Sequence, residues 1–254
     1  MKGSAAFVTG GANGIGRATV RALLEAGVNV AVADNNSAAL DETVAELDGI
    51  GPRILPIAAD LSDIGALNGY LQQAIDRFGR VDYLVNSAAS MDATYDLMDL
   101  DEAEWDRVLR INLKMPAFLL QAFARHAIAR GGGGRIVMVS SAAGFRAVRN
   151  RASYGSSKGG LTALVRIAAA QLGQHDINVN AVAPGTTNTH GTTTARNVDV
   201  SKLQQAVQSG PSENLLKRLS EPEDVAGTIA FLCSPAARQI TGQTIHVSAG
   251  LITP

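Results

Sequence analysis

The sequence predicts an α/β fold, a doubly wound parallel sheet with helices on both faces. Three observations carry that expectation. Short apolar runs alternate with stretches of helical periodicity along the chain, the apolar runs are hydrophobic at consecutive positions, and no internal repeat or linker interrupts the alternation. A strand that is apolar at successive positions is covered on both sides, as in a parallel sheet with crossover helices above and below it.

The elements follow in order. Ala5-Ala6-Phe7-Val8-Thr9 reads as the first strand, and Ile15, Thr19, Ala22, Leu23 and Ala26 mark one face of the helix after it. Residues 28–33 form the next strand, and Leu40, Val44 and Leu47 the next helix. Residues 54–58, 81–85, 135–139, 177–182 and 244–247 continue the strand series, with long helical patterns at 104–130 and 153–173. The four glycines at 131–134 read as a surface loop. Residues 186–214, rich in Thr, Asn and Ser, read as the least structured stretch, and a loop of that length inside a compact domain suggests a lid.

A chain of 254 residues suits one domain spanning 1–254. With 46% hydrophobic and 18% charged residues and a net charge of -1, it shows neither the signature of disorder nor a nucleic-acid footprint. The one cysteine, Cys233, excludes an intrachain disulfide and sits in an apolar run, so a buried thiol in a reducing, cytoplasmic setting is expected. The first strand begins after four residues, leaving no room for a signal peptide, and no apolar run reaches the length of a membrane span. No nucleic-acid, membrane or metal partner is expected.

The first strand runs into Thr9-Gly10-Gly11-Ala12-Asn13-Gly14-Ile15-Gly16 at a strand-to-helix turn. Glycines there let the backbone approach a pyrophosphate, and the helix N-terminus offers free N–H groups and a positive dipole end. A glycine-rich turn without a ligand is the plainer alternative. Asp34 ends the second strand, where an acidic residue can accept hydrogen bonds from ribose hydroxyls and repel a 2′-phosphate. The residues that would be basic in an NADP site are Asn13, Asn35 and Asn36, so NAD is the expected cofactor.

Tyr154 and Lys158 are spaced i, i+4 and share one helix face. A phenol with a pKa of about 10 is poorly matched to neutral proton transfer. A cation nearby stabilises the phenolate by roughly 4 kcal/mol at an effective dielectric near 20. That corresponds to about three pKa units. Alone, a Tyr-xxx-Lys pair is a weak motif. Together with Thr9 to Gly16, Asn112, and Ser141 thirteen residues before Tyr154, it resembles the short-chain dehydrogenases/reductases. The resemblance covers essentially the whole chain, and its motifs are specific through their order and spacing.

The resemblance implies a Rossmann-like domain with a seven-stranded sheet and an oxidoreductase that interconverts a secondary alcohol and a ketone. It implies Tyr154 as acid/base, Lys158 as the residue that lowers its pKa and binds the nicotinamide ribose, Ser141 as the partner of the substrate oxygen, and Asn112 as holder of a relay water. Pro116 lacks an N–H and frees the Asn112 carbonyl for that role. Further cofactor contacts are implied at Gly10, Asn13, Gly14, Ile15, Gly16 and Asp34, at Asp60 and Leu61, at Asn86 and Ala88, and at Pro184, Gly185, Thr187 and Thr189. It also implies a homotetramer using the helices near 105–130 and 153–173.

Two positions depart from the family pattern. Ala89 stands where a glycine is usual after the fourth strand, with slightly altered cofactor packing expected. Ser248 replaces the usual acidic residue near the C-terminus, where a reshaped subunit contact is expected. Arg146, Arg149 and Arg151 lie between Ser141 and Tyr154, and arginine suits a carboxylate. Arg149, Arg151 and His190 are the candidate substrate contacts, against the plainer reading of a solvated rim. Asn150-Arg151 and Arg196-Asn197 resemble, locally, dehydrogenases of cis-dihydrodiols of aromatic acids, so a polar cyclic diol such as a cis-dihydrodiol carboxylate is the expected substrate. The rival readings are an NADP-linked 3-oxoacyl or other carbonyl reductase and a non-catalytic NAD-sensing binding protein.

Overall fold

A computed structural model describes residues 1–47, 49, 53–92 and 96–253, with the side chains of Ala195 and Arg196 outside the described set. Seven strands are all parallel: β1 (Ala5–Thr9), β2 (Asn29–Asp34), β3 (Ile54–Ala58), β4 (Tyr83–Asn86), β5 (Gly134–Val139), β6 (Ile177–Pro184) and β7 (Thr244–Val247), in the order β3-β2-β1-β4-β5-β6-β7. The expected seven-stranded, doubly wound sheet is present.

Alternation along β1 shows why both faces are filled. Phe7 points into a layer with Leu84, Ile136 and Met138, covered by α3 (Leu67–Phe78), α5 (Met115–Ala129) and α6 (Ala152–Leu172). Ala6 and Val8 point the other way, into a layer with Val30, Val32, Val85 and Val137, covered by α1 (Gly14–Glu25), α2 (Ser37–Leu47) and α9 (Pro222–Cys233). Cys233 is fully buried in the second layer, and burial pushes its thiol up to about 12. No helix of the described residues is long and apolar enough to cross a membrane.

Two helical readings change. The pattern at 104–130 is helical but irregular: α4 (Glu102–Leu109) passes through a π-turn at Arg110–Lys114 before α5. Pro116 cannot donate to the Asn112 carbonyl in the α register, and the Met115 N–H instead reaches back five residues to Arg110 O. The stretch 186–214 is also more ordered than its composition suggests. It holds α7 (His190–Arg196) and α8 (Val200–Ser209). Thr189 caps α7 by accepting from Thr192 N, Asp199 caps α8 by accepting from Lys202 N, and Leu203 and Val207 bury one face of α8 against Leu219.

The approach of α6 to the short turn at Ala142–Gly144 fixes the site. A Cβ on Gly144 would lie 2.9 Å from Lys158 C and from Gly159 N, both backbone atoms. Gly160, by contrast, faces the movable side chain of Leu113. Gly144→Ala is therefore expected to destabilise by about 2 kcal/mol and Gly160→Ala by less than half of that, measured by urea denaturation; equal effects would contradict the close docking.

Candidate active site

The carboxyl ends of the strands open into a cleft of about 1010 Å³ where the strand order reverses between β1 and β4. At one end lies the glycine turn. Gly10 has φ +64°, and a Cβ on it would come within 2.7 Å of the Ala88 backbone. A Cβ on Gly16 would sit 1.9 Å from Gly10 O, so the helix can start here only with glycine. Thr9 Oγ1 donates to Asn86 Oδ1 (3.0 Å) and accepts from Ala88 N (3.2 Å), tying the turn to the end of β4. Gly10, Asn13, Gly14, Ile15 and Ala88 line the cleft, whereas Gly16 and Asn86 stand behind its wall as supports.

Asp34 lines the same end. Its carboxylate accepts from Ala12 N (3.1 Å) and Asn36 N (3.0 Å), which fixes it beside the glycine turn. Arg17, in the first turn of α1, points away, with its guanidinium on Ala12 O, Glu42 and Glu46. Asp60 and Leu61 follow β3 on the wall; the hydroxyl and N–H of Ser62 hold the Asp60 carboxyl below the usual carboxylate range.

At the other end, α6 presents Tyr154 and Lys158 one turn apart. Lys158 is buried, its Nζ donating to Val139 O (2.9 Å) and lying 5.6 Å from the centroid of the Tyr154 ring. Burial lowers its ammonium from 10.5 to about 8. Ser141 follows β5 on the cleft wall and caps the 142–144 turn by accepting from Ala143 N (3.1 Å). The adjacent Ser140 gives its hydroxyl to Lys158 O (3.1 Å). Asn112 is buried in the π-turn: Oδ1 accepts from Ser90 N (2.7 Å), and Nδ2 donates to Ser90 O (2.8 Å) and Ser157 Oγ (3.1 Å). Ser157 Oγ donates in turn to Tyr154 O (2.7 Å). The Asn112 side chain thus binds the loop after β4 to the catalytic-candidate helix.

Pro184, Gly185, Thr187 and Thr189 line the cleft beneath the segment 186–214, with Thr189 packed over Gly14. Ala89 is exposed on the wall. Ser248 is buried inside the chain with its Cα against Gly185, which corrects the expectation of a subunit contact: the smaller side chain fits a packed interior position. No group of three or more His, Cys, Asp or Glu among the described residues could hold a metal ion.

The three substrate candidates separate. Arg149 is exposed on the cleft rim with no ion-pair partner among the described residues. Arg151 reaches the cleft wall, but its Nη1 is committed to Asp92, at 2.9 Å from Oδ1 and 2.6 Å from the main-chain oxygen. His190 faces a separate shallow hollow with Thr194 and Lys202, on the outer side of α7. Arg146, passed over as a contact, lines the cleft and donates to Pro211 O (2.7 Å). The Arg196 side chain lies outside the described residues.

Sequence reasoning missed Asp92, whose buried carboxylate accepts from Tyr154 N (3.0 Å). A signal was present: Arg151 occupies the cap position of α6 and has no acceptor to offer, so the acceptor had to come from elsewhere in the chain.

A family model described as enoyl-(acyl carrier protein) reductase matches residues 10–252. The chain belongs to the short-chain dehydrogenase/reductase family. It is 36% identical, over 99% of its own length and 95% of the relative's, to a short chain dehydrogenase/reductase, AstE, of Aspergillus oryzae. It is 34% identical, over 98% of its own length and 96% of the relative's, to the 2-dehydro-3-deoxy-D-gluconate 5-dehydrogenase of Escherichia coli. A solved actinorhodin polyketide ketoreductase variant with NADPH superposes with a TM-score of 0.90 at 27% identity, covering 98% of this chain and 97% of that one. Family members are oxidoreductases that use nicotinamide cofactors and small-molecule substrates, and they are typically oligomeric.

Lys158 gives a prediction of this geometry. Its folded-state pKa lies below the unfolded value, so its burial opposes folding below about pH 8 and stops doing so as pH rises toward 10.5. Lys158→Met is expected to stabilise the cofactor-free protein at pH 7 by up to about 3 kcal/mol, with most of that gain lost by about pH 10. Thermal melts at the two pH values check this; a destabilised variant at pH 7 would contradict it.

Proposed function

We propose that the chain is an NAD(H)-dependent dehydrogenase that interconverts a secondary alcohol and a ketone, with a polar, anionic cyclic diol such as a cis-dihydrodiol carboxylate as substrate. The observation that carries the reaction is the convergence of Ser141, Tyr154 and the buried Lys158 on one end of the cleft.

The cleft fits a dinucleotide. The Gly10–Gly16 contact leaves a bare backbone surface at the start of α1, whose cap residue Asn13 uses no side-chain bond on the first N–H groups. These groups would hold a pyrophosphate. Asp34 would take the adenosine ribose hydroxyls, and with Arg17 turned to Glu42 and Glu46 nothing basic described on that wall would neutralise a 2′-phosphate. That supports NAD. Asp60, Leu61 and Ala88 would flank the adenosine half, and Pro184, Gly185, Thr187 and Thr189 the nicotinamide half.

The bound nicotinamide ring supplies the site for hydride transfer. The residues of the chain manage the oxygen and its proton. In alcohol oxidation Ser141 Oγ donates to the substrate oxygen, and the Tyr154 phenolate takes the hydroxyl proton as the C–H hydride leaves the same carbon. Lys158 stabilises the phenolate through its charge. Ketone reduction reverses each step. Asn112 seats the helix and, in this reading, holds the relay water through its backbone carbonyl.

Arg149 and Arg146 make the substrate end cationic, while Asp34 and Asp60 make the cofactor end anionic. The Escherichia coli relative is named for a keto sugar acid, itself a polyhydroxylated carboxylate. Both points favour an anionic, hydroxylated substrate. A second reading, an NADP-linked carbonyl reductase, draws on the ketoreductase solved with NADPH; Asp34 opposes it. We further propose one domain over 1–254, residues 186–214 as its lid, and a homotetramer through α5 and α6, whose Phe118, Ile128 and Ile167 are exposed. The lone, buried Cys233 suits a reducing cytoplasm.

Tyr154→Phe should lose at least about 10³-fold in kcat while binding NADH unchanged, read by NADH fluorescence; retained turnover would favour a sensing protein over an enzyme. The ratio of kcat/KM should favour NAD over NADP by about tenfold or more, and a reversed ratio would establish the reductase reading. With a diol carboxylate as substrate, Arg149→Ala should raise KM about tenfold and leave cyclohexanol kinetics alone. An equal effect on both substrates would sink the carboxylate assignment.

A further inference from the structure

The N-terminus of α6 lacks a cap of its own. Arg151 occupies the cap position with φ -135° and ψ 42°, and the first helical bond runs from Gly155 N to Arg151 O. Tyr154 is the third residue of the helix, so its N–H has no acceptor within the helix. Asp92, 62 residues earlier, fills that need through Oδ2, while its Oδ1 and main-chain oxygen accept from Arg151. The two side chains are 3% and 12% exposed. On the other side of the residue, Tyr154 O accepts from Ser157, which Asn112 holds. The Tyr154 backbone is thereby gripped at its N–H by Asp92 and at its carbonyl by Ser157 of its own helix, which Asn112 holds in turn.

We propose that Asp92 and Arg151 form a positioning pair that seats Tyr154 and keeps the charge beside its phenol balanced. This rests on Tyr154 being the acid/base. Altering one member changes the net charge of the buried surroundings of Tyr154 by one unit. Other charges line the same cleft: Lys158 over the Tyr154 ring, Arg107 on α4, which feels the Asp92 charge, and Arg146 and Arg149. Arg107 is engaged by Glu104 and by Ser90 and Met91 of the loop that carries Asp92.

The test is the pH dependence of kcat for oxidation of one secondary alcohol at saturating NAD, where turnover rises as Tyr154 loses its proton. Arg151→Gln removes one positive charge from these surroundings, disfavours the phenolate, and should move the limb up by about one pH unit. Asp92→Asn keeps an acceptor for Tyr154 N–H but removes one negative charge, favours the phenolate, and should move it down by about one pH unit. Arg151→Lys and the double variant Asp92→Asn/Arg151→Gln, both charge-balanced, should return the limb to its wild-type position even where kcat falls. If Arg151→Gln does not fold, the opposed behaviour of Asp92→Asn and the double variant still decides the matter. Limbs that stay in place, or move the same way in both single variants, reduce the pair to a structural tie and overturn the proposal. An active Tyr154→Phe protein would overturn the acid/base reading beneath it, an outcome distinct from unmoved limbs in a family of variants where Tyr154→Phe is dead.

Discussion

The reversal of strand order between β1 and β4 is the constraint on which the rest of the structure depends. Because β1 pairs with β2 on one side and β4 on the other, the crossovers depart in opposite directions and leave a crevice at the carboxyl ends. The residues of the candidate site leave the sheet into this crevice. The glycine turn ends β1, Asp34 ends β2, Ser87 to Ala89 follow β4, Ser141 follows β5, and Pro184 and Gly185 close β6. The sheet brings them together before any of their chemistry is considered.

Within the crevice the chain spends folding stability on function. A buried ammonium with one carbonyl partner is an expensive feature, and Lys158 is the largest charged side chain among the fully buried ones. The two cores absorb that cost. They are built from strands apolar on both faces, so the local penalty sits on a scaffold with ample buried area. Supports stand one layer back: Asn112 and Ser157 under Tyr154, Thr9 and Asn86 under the glycine turn.

The sheet was legible in the sequence because consecutive apolar positions report burial on both faces, and the glycine turn because its spacing and its place after β1 agree. Tyr154 and Lys158 gained meaning from their intervals to Ser141 and Asn112. Asp92 was not legible: its partners are a backbone N–H 62 residues away and an arginine that sequence reasoning aimed at the substrate. One reason explains why Arg151, though it reaches the cleft wall, is held by Asp92 and why His190 faces a separate hollow. Proximity in sequence to an active residue says nothing about which way a long side chain turns once a buried acid, or the outer face of a short helix, competes for it. The helices in 186–214 were hidden by composition, although Thr189 and Asp199 carried capping signals that could have been read.

The π-turn at Arg110–Lys114 also sets the rotational phase of the helix that contains it. One residue advances a helix by about 100°, so the extra residue in the wide turn changes the phase of the rod partway along. The α4 portion can send Arg107 to the loop after β4, while α5 lays Leu119 and Phe123 on the sheet, and Asn112 falls at the junction where both demands meet. A perfectly regular helix could satisfy one set of neighbours only. The irregularity works as a phase shifter between scaffold and site: a one-residue deletion that smoothed the helix would leave its length and hydrophobicity almost intact, yet rotate one of its two ends out of step with everything it touches.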